Sequence, residues 1–181
     1  MARHVLGRCG ALWGVVGVIG LLGYAVLRLF PLITDAFTYP FQWYHWAVLV
    51  CHVALMAYTE GYRGFQQGFS PRVVARARYL AQHPRVLHVL LGPLFCMGYV
   101  YATWQRRIRS VSLTVFIVLL VVLVTRLDQP WRGIIDAGVV IGLLWGCLSI
   151  GAFSIQALRS DDFGVDPEVP QEAPQPTTSS S

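Results

Sequence analysis

The sequence predicts an all-α protein: a polytopic bundle of about five transmembrane helices followed by a disordered C-terminal tail. Three observations predict it. Long stretches carry no charge at all. The chain is 55% hydrophobic and 13% charged, whereas a soluble domain is about 25% charged. The charge is also lopsided. All fourteen basic residues are arginine and precede residue 160, while five of the nine acids follow it. A soluble fold would have too little polar surface to cover such runs.

A span needs about 20 apolar residues, because the hydrocarbon core is about 30 Å thick and a helix rises about 1.5 Å per residue. Five stretches meet or approach this: residues 9–30, 43–60, 86–105, 110–125 and 133–158. Arg3 and Arg8 precede the first as in a signal peptide, but its apolar run exceeds the usual 7–15 residues, so it is read as an uncleaved span. The fourth is short and nearly all Val, Leu and Ile, which suits a lipid-facing helix. Between the second and third, residues 71–83 read as an amphipathic helix with Ser70 as N-cap and Pro71 at its first position. Val73, Ala77 and Leu80 line one face, and Arg72 and Arg76 are assigned to another. That element, with Arg78 and Arg85, would lie on the inner leaflet and meet anionic lipid headgroups or a partner.

Arginine placement sets orientation, because cytoplasmic loops are enriched in Arg and Lys. The loop between the second and third spans holds five arginines and no acid after Glu60, so it and the N-terminus belong inside. Five crossings leave nine arginines inside and five outside, with Arg106, Arg107 and Arg109 on the wrong side. Making 86–105 re-entrant gives eleven against three and returns the C-terminus inside. Hydropathy favours five spans and charge favours four; five is the expectation carried forward. Residues 1–160 form the bundle. Residues 161–181, with five acids and four prolines, cannot bury enough apolar surface to offset chain entropy and are expected to be disordered. The absence of Lys and Asn suggests a GC-rich bacterial genome, hence a bacterial inner membrane.

Function is less legible. Small residues recur at Gly138, Gly142 and Gly146 in the last span, and at Gly17 and Gly20 among others in the first. Such ridges let helices approach closely. In the second span His45, His52 and Thr59 are spaced by seven, about two turns, and share a face. His45 and His52, with Glu60 and Asp136, are the candidate intramembrane polar site, since polar groups at membrane depth are functional candidates by default. His45 and His52 are about 10 Å apart along the axis, too far to ligate one iron together. Cys9, Cys51, Cys96 and Cys147 are far apart with no CxxC, so no metal is expected. No phosphate-binding loop, zinc-protease helix or serine nucleophile elbow occurs, and no cofactor or nucleic acid is expected. The favoured expectation is a non-enzymatic accessory, assembly or scaffold protein of the membrane, partnered by lipid, other membrane proteins or itself. The alternative is a small redox protein, linked to haem or quinone, or a transport protein built on the polar face of the second span.

Overall fold

A computed structural model describes residues 2–159 and 164–169. Among them the secondary structure is helical throughout, with no strand. Helix α1 spans Ala2–Ala36, and α2 spans Trp43–Met56. Helix α2 runs without a break into a π-helix, Ala57–Phe69, and then into α3, Ser70–Gln82. Two five-residue helices follow, α4 (Val86–Leu90) and α5 (Gly92–Cys96), then α6 (Trp104–Val124) and α7 (Trp131–Arg159). Three of these, α1, α6 and α7, are long and apolar enough to cross a membrane.

Helix α7 is the hub, packed along α1 on one side and along α2, the π-helix and α3 on the other. It runs antiparallel to α1: Gly133 meets Ala36 at one end, and Cys147 Sγ reaches the Ile19 carbonyl at 4.0 Å further down. It runs parallel to the second helical rod, where Gly138 faces His52, Gly142 faces Glu60, Gly146 faces Phe65 and Ser149 bonds Ser70 at 2.8 Å. The π-helix explains this register. Its bonds link i to i+5, as Ser70 N–H to Phe65 O shows, so positions five apart share a face. Glu60, Phe65 and Ser70 are five apart, and all three look at α7. The glycine ridge therefore packs helices within one chain, as does Gly17, which Pro93 covers. Gly20 does not fit the expectation. It is exposed, and an added Cβ there would meet nothing. Gly20→Ala should therefore be neutral or stabilising by about 0.5–1 kcal/mol from helix propensity alone. Thermal unfolding in detergent checks this, and a loss of stability would reveal a contact at that face.

Residues 86–105 are not one helix. Leu91 separates α4 from α5, which opens with Gly92 and Pro93, and residues 97–103 turn through Gly98 (φ +85°) and Tyr101 (φ +48°). Proline supplies no N–H to a continuing helix and the left-handed positions end one. Helices α4 and α5 pack on α1, and α5 also meets α3. Val89 packs on Gly10, and Cys96 on Gly14. The core at this foot of the bundle joins Val18, Val73, Leu80, Phe95, Cys96 and Ile150. Helix α3 is thus built into the bundle rather than laid on a surface.

Helix α6 stands apart. It begins at the foot beside α3, ends near the start of α7, and buries only Arg106, Ser110 and Val124. The expected tail also departs from expectation. Residues 164–169 dock on the foot, and Val169 packs against the core. The rest of 161–181 lies outside the described residues.

Candidate functional site

The expected polar face of the second span resolves into separate structural roles. His45 is buried in an aromatic cluster with Phe41, Tyr44 and Trp131, and its Nδ1 accepts the Gln42 backbone N–H at 3.0 Å. The ring therefore helps cap α2, satisfying a backbone donor that the helix leaves free. The accepting Nδ1 places its proton on Nε2. His52 is half-buried, with Nε2 3.4 Å from the Ile135 carbonyl and its ring seated on Gly138. Glu60 is exposed, sets its Cβ against Gly142, and forms no ion pair with Arg63 among the described residues. Asp136 is buried and pairs with Arg132 one turn back, Nε to Oδ2 at 3.8 Å, as the i,i+4 spacing implies. The four residues do not converge on one cavity. The hollow beside His52 is lined by Ala47, Val48, Cys51, His52 and Leu55, all of one helix. It is a groove on α2 and encloses nothing. Among the described residues no group of three or more His, Cys, Asp or Glu could hold a metal.

The basic element gives a different result. Arg76, expected to meet headgroups, is fully buried. Its guanidinium has five N–H donors, and five backbone carbonyls accept from it. Nε donates to Phe95 O at 2.5 Å. Nη1 donates to Pro167 O at 2.9 Å and Glu168 O at 3.5 Å. Nη2 donates to Val100 O at 2.7 Å and Tyr101 O at 3.0 Å. The group also sits over the Phe95 ring, 4.4 Å from its centroid. Burial lowers Arg76 from its ordinary value to about 10, with Arg106 adding to the effect, so the charge persists at neutral pH. Two of the five carbonyls belong to residues with positive φ, Tyr101 (+48°) and Glu168 (+50°). Such backbone costs about 1–3 kcal/mol and persists where surroundings over-determine it; here Arg76 does so. Burial, then Arg85 and Arg76, holds the His88 ring below its ordinary value, and it stacks neutral between Phe95 and Tyr101.

The remaining arginines of that element divide. Arg72 is half-buried and pairs with Glu168, Nε to Oε1 at 3.4 Å. Arg85 lies over the Tyr101 ring at 5.5 Å. Arg78 is half-buried on α3. Sequence reasoning missed three members of this cluster. Arg106 Nε faces Glu168 Oε2 at 3.7 Å. Glu168 O also accepts the Thr103 N–H at 3.2 Å. At Gly98 a Cβ would lie 2.8 Å from Arg106 Nε. One signal was available: Val73, Arg76, Ala77 and Leu80 follow the i, i+3, i+4, i+7 stripe, so Arg76 belongs to the apolar face.

Comparison of the chain with known protein families, with curated proteins and with solved structures found no match. The chemistry of the site therefore rests on its own residues. It is a cationic cluster held by backbone carbonyls, suited to gathering chain segments or an anion.

Proposed function

We infer that this chain is a non-enzymatic accessory or assembly component of a bacterial inner membrane, and that α6 is the helix it offers to a partner. The observation that carries this reading is the isolation of α6. Twenty-one residues long, it exposes Val, Leu, Ile and Phe around nearly its whole girth and, among the described residues, packs along no other helix. Within lipid, helices associate by close packing of side chains, and α6 has that surface free. In this reading the membrane is crossed four times, by α1, by α2 with the π-helix, by α6 and by α7, while α4 and α5 re-enter from the foot. Eleven arginines then sit at the foot and three at the opposite end, which supports a cytoplasmic foot with the N-terminus there.

The test is a native mass spectrum of protein gently extracted from its own membrane at its natural level, together with photo-crosslinking from Leu119. The expected result is a second polypeptide or a defined homo-oligomer, crosslinked through α6. A monomer with no crosslinked partner would overturn the reading. The rival redox or transport role makes a separate prediction at His52. His52→Ala is expected to cost about 1 kcal/mol for one long hydrogen bond and to leave the host phenotype unchanged. A lost phenotype in a stable protein, or retained haem or quinone mass, would favour the rival.

A further inference from the structure

Among the described residues, the crevice between α3, the first turn of α6 and residues 164–169 carries more positive charge than its carboxylate balances. Arg72, Arg76 and Arg106 converge on it, and among the described residues Glu168 is the carboxylate paired with Arg72 and Arg106. Asp166, its neighbour, is turned to the Glu168 backbone N–H at 2.7 Å. Glu168 also fits loosely. Its oxygens lie 3.4 Å from Arg72 Nε and 3.7 Å from Arg106 Nε, whereas charge-assisted bonds close to about 2.7–2.9 Å. Arg106 Nε and Glu168 Oε2 are both buried without a hydrogen-bond partner. Buried donors are almost always bonded, and the Arg106 side chain, only 8% exposed, aims its donor into the crevice. Gly98 and the start of α6 hold that arginine in place.

We propose that this crevice binds the phosphate of an anionic phospholipid headgroup, and that the Glu168 side chain is its intramolecular stand-in. A phosphate has more oxygens around a larger centre than a carboxylate, so it can bond both Nε groups at once. Only the Glu168 side chain has to leave. Its backbone stays anchored, because its carbonyl is held by Arg76 and Thr103. The surroundings favour a lipid over a soluble phosphate. Leu87 and Leu90 of α4, Leu94 of α5 and Trp104 of α6 are exposed around the foot, giving acyl chains an apolar surface and the interface an aromatic anchor. The excess positive charge selects an anionic over a zwitterionic headgroup. The proposal rests on the membrane embedding inferred above, but not on the role of α6.

The experiment uses the full chain in detergent, titrated with dioctanoyl phosphatidylglycerol, dioctanoyl phosphatidylcholine or inorganic phosphate, with adducts counted by native mass spectrometry. One saturable phosphatidylglycerol is expected, with phosphatidylcholine at least tenfold weaker. Glu168→Gln removes the competing charge and should raise phosphatidylglycerol affinity at least threefold. Arg106→Gln should lower it at least fivefold; if that variant does not fold, the half-exposed Arg72→Gln should do the same. Equal retention of the two lipids, or no change in Glu168→Gln, would overturn the site. Saturable inorganic phosphate that displaces the lipid would overturn the lipid assignment. Release of the protein from membranes by alkaline carbonate would instead refute the embedding, so the two failures are distinguishable.

Discussion

Replacing Arg76 by Met is expected to lower the stability of the folded chain by about 3–5 kcal/mol, because buried carbonyls lose their donor. The Phe95 and Glu168 carbonyls keep other partners, the N–H groups of Gly98 and Thr103. Those of Pro167, Val100 and Tyr101 lose the guanidinium that bonds them. A buried acceptor left unmet costs about 1–3 kcal/mol, so the carbonyl loss alone reaches this range. Arg76→Lys should recover only part, because an ammonium is a point charge and cannot serve a fork of five carbonyls. Thermal unfolding in detergent should show Tm falling on the order of 10 °C for Met. Amide exchange should rise first in residues 86–103. A Met variant that melts with the parent would show that the cluster holds nothing.

The second large effect is expected at the seam between α7 and the second rod. A Cβ at Gly138 would lie 2.5 Å from the His52 ring, and one at Gly146 2.6 Å from Phe65 Cδ1. Gly138→Ala should destabilise by about 1–3 kcal/mol, the cost of overpacking, despite the propensity gain that Gly20→Ala enjoys. The clash is with a side chain, so shortening that side chain should relieve it. The double variant Gly138→Ala with His52→Ala is expected to be more stable than the two single effects sum to, by at least 0.5 kcal/mol, the coupling expected of residues in contact. Strict additivity in the same melting assay would mean that the histidine does not sit on the glycine.

Much of the architecture was legible because apolar length is a direct record of helices that cross lipid. The predicted 133–158 is α7, and 110–125 lies within α6 but for its last residue. The stretch 86–105 misled because hydropathy reports burial and not backbone path. Gly92, Pro93 and Gly98 break the helix without making the segment less apolar. The arginine count pointed the same way as the broken backbone, since Arg106, Arg107 and Arg109 fell on the wrong side only if that stretch crossed. Arg76 was hidden by a rule sound on average, that charged residues face outward. Here five carbonyls from distant segments make burial tolerable, and no local pattern announces carbonyls. The tail was read from composition, which gives Glu168 a solvated fate. Its docking depends on arginines some 60 to 100 positions earlier. The polar face of the second span was read at helical spacing. Its members do not gather at one place, because His45, His52 and Asp136 each have a separate partner and the π-helix shifts the register beyond residue 57.

The hydrogen bonds of Arg76 also carry a timetable. A chain is made from its N-terminus and its parts fold in that order. Phe95, Val100 and Tyr101 are available soon after Arg76 emerges, but Pro167 and Glu168 are made only after α1, α6 and α7. Until then the guanidinium is held on one side only, and the segment from α4 to the start of α6 is closed over but not latched. Synthesis of the long helices thus precedes fastening of the foot, and residues made after them complete a cluster whose central cation was made long before.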